Sequence, residues 1–294
     1  MNLTTPRTLV HVIESLPTSD GAGVKLRRSL GSQRGLHVDP FLMLDEFYSD
    51  DPDDYIAGFP AHPHRGFETV TYMLDGHMQH EDHLGNQGDL GPGGVQWMTA
   101  AHGIIHSEMP LQNEGRMRGF QLWINLPSRE KMKPAGYRDI PASEIPQLEL
   151  AGGGSAKVIA GALTLDGHAV SGPVNGSGEL STDPLYLDVR LPAGAVFIAP
   201  LKPGHNAFLY TYEGSAQVGA DDRTRALPHR AAGVLSDGDS VRVQAGGEGV
   251  RFLLLAAKPL REPVVQYGPF VMNTREEIEQ ALADYRDGKL AVAA

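Results

Sequence analysis

Two short runs of metal-capable residues constrain this chain most: His62-Pro63-His64 and His106-Ser107-Glu108. In extended backbone, side chains at i and i+2 point to the same face, so each run presents two donors side by side if it lies on a strand. Between them, strand-like Thr69 to Met73 and Val95 to Met98 alternate with turn-forming clusters at Leu74-Asp75-Gly76, Gly85-Asn86-Gln87-Gly88-Asp89 and Pro92-Gly93-Gly94. Such a hairpin-like series predicts a small barrel that brings the two pairs together. Neutral imidazoles and a carboxylate suit a borderline first-row divalent ion, and a chain without cysteine has no thiolate site. A single His-x-His also occurs on solvated strand faces. The second pair is what makes a four-donor cage of His62, His64, His106 and Glu108 the reading of this stretch.

The remaining histidines of the stretch divide by spacing. Pro63 cannot donate to a sheet ladder, so the first pair is expected at a strand end or an edge, near a barrel mouth. His77, His80 and His83 follow Gly76 without forming a second i, i+2 donor pair, and read as solvated or hydrogen-bonded side chains. His102 has the strand parity of His106 but stands about 13 Å from it along a strand, too far to share a metal. It is expected to support the site or the fold.

Composition bounds the class. A chain of 294 residues has room for two ordinary domains, each with its own core. Gly (35) and Pro (21) exceed their usual combined share of ~12%, which favours many turns between short strands and hence an all-β fold. The net charge of −11 repels phosphate backbones and anionic membrane surfaces, and the short basic run Lys25-Leu26-Arg27-Arg28 does not offset it. Direct binding to nucleic acid or membrane is therefore not expected. The absence of cysteine fits a reducing cytoplasm. The start, Met1-Asn2-Leu3-Thr4-Thr5-Pro6, lacks the basic and apolar segments of a secretory signal, and the apolar run Phe252 to Ala257 is far too short for a bilayer and reads as a buried strand.

Along the chain, Leu9 to Ile13 is expected as an edge strand and Val24 to Arg28 as a half-buried one whose basic residues face solvent. Pro127 to Pro146 carries further prolines and no clear period, and reads as a linker. The second half repeats the first weakly: Phe67 to Gly76 lays over His205 to Gly214, which sets Pro200 and Lys202 where His62 and His64 stand. Aligning Gly88 with Gly233 and Gly93 with Gly238 sets Arg251 and Leu253 where His106 and Glu108 stand. None of the four replaces a ligand well, so the second half is expected to hold no metal and His205 to be structural. Thr274 with Glu277 three residues on is a capping-box pattern that opens a helix, with Ile278, Leu282 and Tyr285 on its apolar stripe and Gly288 at its end.

The residues also carry a family resemblance. The run Phe59-Pro60-Ala61-His62-Pro63-His64-Arg65-Gly66-Phe67-Glu68-Thr69-Val70-Thr71-Tyr72, with Val95-Gln96-Trp97-Met98-Thr99-Ala100 and Gly103-Ile104-Ile105-His106-Ser107-Glu108-Met109-Pro110, resembles the pirin family. Asp39-Pro40-Phe41, Leu44-Asp45-Glu46-Phe47 and Gln121-Leu122-Trp123-Ile124-Asn125-Leu126-Pro127 extend the likeness, which loosens after Leu150. The resemblance implies an all-β fold of two tandem cupin-type β-barrels with a short C-terminal helix. The expected division is a metal-binding cupin domain over 1–137 and a metal-free cupin-like domain over 138–294 that includes the helix. It implies one divalent ion per chain, Fe2+ first and Mn, Ni, Cu, Co or Zn as alternatives, at His62, His64, His106 and Glu108.

Generic cupins take the carboxylate four residues after the second histidine, which here is Glu68; the pirin pattern takes Glu108 and leaves Glu68 to orient an imidazole. Two activities follow from the resemblance. One is a quercetin 2,3-dioxygenase-like oxidoreductase that cleaves flavonol-type aromatic substrates with O2, with Glu108 as catalytic base and walls sought among Phe41, Phe47, Phe67 and Trp97. The alternative is a non-enzymatic, iron-binding redox sensor that acts through a protein partner. Both use the same four residues.

Overall fold

The computed structural model describes residues 5–33 and 35–291, with Asp221 described in its backbone alone. The first four residues of the start weighed above for a secretory signal lie outside the described residues. The chain gathers into two compact units, and neither is continuous. One takes the start as far as Ser15, then Val38–Pro40 and Ser143–Pro259; the other takes Leu16–His37, Phe41–Ala142 and the chain from Leu260 onward. The units therefore do not follow a linear split at 137/138. Leu9–Glu14 pairs within the first unit, and the C-terminal helix packs its buried residues within the second.

The unit built on Phe41–Ala142 holds two main antiparallel sheets and a two-stranded ribbon, Val265–Tyr267 with Phe270–Met272. The larger has seven strands in the order Gly136–Ile140, Val95–Thr99, Phe67–Asp75, Met117–Asn125, Phe41–Ser49, Val24–Arg28, Leu16–Asp20. The smaller has four, in the order Phe59–His64, Ile104–Pro110, Met78–Asp82, Gln87–Leu90. The sheets are open and do not close into a barrel, an arrangement that cupin domains accommodate. The turns expected at Gly76 and at Pro92 to Gly94 exist, but they are not hairpins. Phe67–Asp75 and Met78–Asp82 lie in different sheets, and Val95–Thr99 returns to the larger sheet to pair with Phe67–Asp75. Between these crossings, Met78–Asp82 and Gln87–Leu90 form a true hairpin.

Apolar residues from both sheets close the core of this unit, with Val24, Leu26, Phe47, Met73, Met78 and Met117 in one cluster and Leu42, Phe67 and Val271 in another. The segment read as a linker is more ordered than that reading. Gly136–Ile140 alternates exposed and less exposed residues and pairs with Val95–Thr99 as the edge of the larger sheet. Lys131 in the same segment is buried, its ammonium bonded to the Gly66 carbonyl (2.6 Å), Asn125 Oδ1 (2.6 Å) and the Val271 carbonyl (2.9 Å). Proline content hid a short strand that a partner in the sheet supports.

The helix Arg275–Arg286 carries the expected capping box, with Glu277 N–H donating to Thr274 Oγ1 and the Glu277 carboxylate accepting from the Thr274 N–H. Gly288 follows at φ +71°, as a helix terminator requires. The buried face differs from the expected stripe: Ile278 and Ala281 are buried, whereas Leu282 and Tyr285 are 38% and 44% exposed. The helix turns toward Ala281 and Asp284 because the Asp284 carboxylate accepts from Arg65 Nη1 at 2.7 Å, while Ile278 and Ala281 pack with Phe270, Met272, Leu290 and Ile105. None of the described helices is long and apolar enough to cross a membrane.

The other unit holds a nine-stranded antiparallel sheet around a large aliphatic core, and a two-stranded ribbon of Ala162–Leu165 with His168–Ser171. Leu9–Glu14 is its edge strand, paired with Ala231–Leu235, as its position and pattern predict. Phe252 to Ala257 is fully or nearly fully buried within the strand Ser240–Ala257. The four residues that overlay the metal set have other duties: Lys202 Nζ donates to Asp183 Oδ2 at 2.5 Å, Arg251 pairs with Glu213 at 3.4 Å, Leu253 is in the interior, and Pro200 ends the strand Val196–Pro200. His205 Nε2 lies 3.4 Å from Asp183 Oδ2.

Candidate metal centre

The four-stranded sheet sets one face with imidazoles through register. His106 stands opposite His62 on one neighbour and Asp82 on the other, and Glu108 stands opposite His80. Directly paired residues share a face, so His62, His64, His80, Asp82, His106 and Glu108 all project to the same side. A bulge in Phe59–His64 shifts the register between His106 and Glu108. Asp82 is spent on its own loop, where its carboxylate accepts from the Leu84 and Asn86 N–H groups and the Asn86 amide.

Three of the expected ligands converge. One nitrogen each from His62, His64 and His106 lies within 4.8 Å of the others, the one such group of metal-capable side chains among the described residues. His62 Nδ1 is 2.9 Å from the Pro60 carbonyl, which can only accept, so the proton sits on Nδ1 and the lone pair on Nε2. That Nε2 faces His64 Nε2 at 3.0 Å. His106 Nε2 is buried with no hydrogen-bond partner among the described residues, while its Nδ1 meets His80 Nδ1 at 3.2 Å. Burial, and then the neighbouring His62, hold the pKa of His64 well below the ordinary imidazole value; burial and then His64, His62 and His80 do the same for His106. Imidazole nitrogens clustered at a largely buried site fit a divalent cation, which would replace mutual repulsion of lone pairs with bonds.

Glu108 is buried, 5% exposed, and belongs to the same cavity wall as His62 and His64 but not to the three-nitrogen group. One of its oxygens accepts from Thr71 Oγ1 at 3.0 Å. Glu68 is not near an imidazole in its bonding: it accepts from Thr99 Oγ1 at 2.7 Å, and burial raises its pKa. The cause is parity. Phe67, Thr69 and Thr71 face the histidines, so Glu68 faces away, and Gly66 at φ +93° breaks the strand between His64 and Glu68 so that counting from the histidines no longer carries over.

A cavity of about 1180 Å³ opens on this cluster. Of the expected walls, Phe47 lines it, whereas Phe41, Phe67 and Trp97 do not. Trp97 lies on the opposite face of its strand from Gln96, and Phe67 is covered by Trp123 at a centroid distance of 4.3 Å. The walls instead come from Trp123, Phe59, Met43, Leu42 and the segment Val264 to Pro269. Trp123 also packs edge-on against His64 at 5.3 Å.

Sequence reasoning missed two features. His80 is buried beside His106, in contrast to the exposed His77 and His83; the strand parity that His80 shares with apolar Met78 was the available signal. The second is a polar row crossing the larger sheet, formed in strict register by Arg28, Asp45, Gln121, Thr71, Gln96 and Asp139. Arg28, expected to face solvent, forks onto Asp45 at 2.8 and 2.7 Å and lines the cavity. Burial raises the Asp45 pKa to about 6 despite that guanidinium. The central member, Thr71, reaches across to Glu108.

Comparison with known proteins agrees with this architecture. The Pirin family model matches residues 23–124, and the Pirin C-terminal cupin domain matches 186–291. A Pseudomonas aeruginosa protein that bears quercetin 2,3-dioxygenase as a provisional name is 56% identical over 99% of this chain and 100% of its own. Pirin of Homo sapiens is 44% identical over 92% of this chain and 89% of its own. The crystal structure of quercetin 2,3-dioxygenase from Acinetobacter baumannii superposes with a TM-score of 0.85 at 32% identity, covering 97% of this chain and 98% of that one.

Proposed function

The chain belongs to the pirin family, and on that premise we propose that it is an iron-dependent dioxygenase of the quercetin 2,3-dioxygenase kind, opening flavonol-type aromatic substrates with O2. The observation that carries this reading is the convergence of three imidazole nitrogens, two of whose rings, His62 and His64, line one large cavity together with the buried carboxylate of Glu108 and aromatic and aliphatic walls. His62, His64, His106 and Glu108 hold the ion. Bound iron supplies Lewis-acid activation of a substrate hydroxyl and a path for electrons toward dioxygen.

The protein's own part is positioning and proton handling. At about 1180 Å³ the cavity exceeds the usual ~300–1,000 Å³ of small-molecule sites, so a flat tricyclic ligand fits with room for dioxygen. Trp123, Phe47 and Phe59 hold the rings by dispersion and exclude water. Glu108 accepts the proton of the bound hydroxyl, and Thr71 keeps the carboxylate oriented for it.

The test is aerobic consumption of quercetin by iron-loaded protein, with metal-free protein and free iron as controls. Turnover well above free iron is expected. Glu108→Gln should lose turnover per bound iron, and His106→Ala should lose iron and turnover together. If loaded wild type consumes no more flavonol than free iron does, the enzymatic reading is wrong.

A further inference from the structure

Thr71 has one hydroxyl proton and two oxygen neighbours that the geometry presents as acceptors. Its Oγ1 is 2.6 Å from Gln121 Oε1 and 3.0 Å from Glu108 Oε1. Thr71 and Glu108 are 3% and 5% exposed, and all three side chains line the cavity, so an unmatched contact here would be costly. A carboxylate accepts and cannot yield, whereas a primary amide offers both roles. Turning the Gln121 amide end for end exchanges its oxygen and nitrogen with almost no change in shape.

With the amide nitrogen toward Thr71, every contact is complementary: the Gln121 N–H donates to Thr71 Oγ1, and the Thr71 O–H donates to Glu108. Register supports the pairing, since Gln121 and Thr71 stand directly opposite each other on neighbouring strands. On its other side Gln121 stands opposite Asp45, whose two oxygens are already taken by the Arg28 fork.

We propose that Gln121 and Thr71 form a one-way hydrogen-bond relay that positions Glu108, tying down one carboxylate oxygen and leaving the other to serve as a metal donor. Donors in series polarise one another, which strengthens the hold on an anionic acceptor. Thr71 and Gln121 are positioning residues here, acting through Glu108. The inference rests on the ligand set given under the proposed function, but not on the identity of the reaction.

The experiment uses full-length protein and cobalt(II), whose visible spectrum reports coordination number, with affinity measured against a competing chelator. Thr71→Val removes the hydroxyl at constant shape, Thr71→Ser restores it, Gln121→Met removes the amide, and Glu108→Ala removes the carboxylate. Thr71→Val and Gln121→Met are expected to weaken cobalt binding about 10-fold or more, the usual effect of losing an outer-sphere partner, and Thr71→Ser to stay within about 3-fold of wild type. The Thr71→Val spectrum should move toward that of Glu108→Ala. Wild-type affinity and spectrum in a folded Thr71→Val, alongside loss in Glu108→Ala, would overturn the relay and leave the ligand set intact. A Gln121→Met protein that binds normally removes Gln121 from it. Wild-type binding by Glu108→Ala would instead show that the carboxylate is no ligand, and the relay would fall with the ligand set.

Discussion

His106 Nδ1 lies 3.2 Å from His80 Nδ1, one imidazole meeting another across neighbouring strands. One nitrogen must donate and the other accept. Both Nε2 atoms are buried without a protein partner, but only His106 belongs to the three-nitrogen group; a lone pair kept on its Nε2 for a metal puts the proton on His106 Nδ1, and His80 accepts it. Burial lowers the His80 pKa and favours the neutral ring that can do so. His80 thereby fixes the tautomer and the ring plane of a proposed ligand.

His80→Leu should then weaken metal binding by about 10-fold or more, while His80→Gln, which keeps an acceptor, should lose much less. Chelator competition on the two variants measures this. Equal affinity in wild type and a folded His80→Leu would refute the assignment.

Lys131 should make stability depend on pH above neutrality. Burial lowers its pKa to about 7, against ~10.4 for an unfolded lysine. The folded protein thus binds fewer protons across that window, so this group's contribution is full above about pH 10.4, falls as pH drops and is gone below about 7. Lys131→Met orphans three carbonyl-type oxygens and should cost about 2–4 kcal/mol at pH 7. The gap to wild type should widen between pH 7 and pH 10 in urea titrations. A constant gap would mean that Lys131 does not titrate in this range.

Gly66→Ala should be among the most damaging single-methyl changes. The backbone there is at φ +93°, and an added Cβ would sit 1.9 Å from the Val271 carbonyl oxygen. Relief requires separating Arg65 from Val271, whose backbone N–H bonds the Arg65 carbonyl at 3.0 Å beside His64. A loss of about 3 kcal/mol or more is expected, together with reduced metal content. A melting temperature and metal stoichiometry equal to wild type would contradict this.

Met43→Trp tests the cavity without touching the histidines. Met43 is 7% exposed and lines the cavity wall, so an indole there takes up space meant for ligand. The flavonol KM should rise about 10-fold with bound iron unchanged, since binding rather than chemistry is obstructed. An unchanged KM would place the substrate elsewhere.

Much of this protein follows from local pattern. The shared face of His62 and His64, the edge strand at Leu9–Glu14 and the Thr274/Glu277 capping box each depend on residues within a few positions of one another, and strand or helix period settles their local geometry; strand pairing is what brings His106 to the first pair. The partition of strands between two sheets, the burial of His80 beside His106, the row from Arg28 to Asp139 and the choice of Trp123 over Trp97 as cavity wall were decided by the tertiary structure. These are cross-strand relationships, set by register and bulges between segments distant in sequence. Arg28 and Asp139 share a row because five pairings align, and a slip of one residue in any of them would turn that strand's side chains to the other face. Glu68 and Thr71 differ by three positions and so by face: period two sends Thr71 toward Glu108 and Glu68 toward Thr99, once the turn at Gly66 has reset the count.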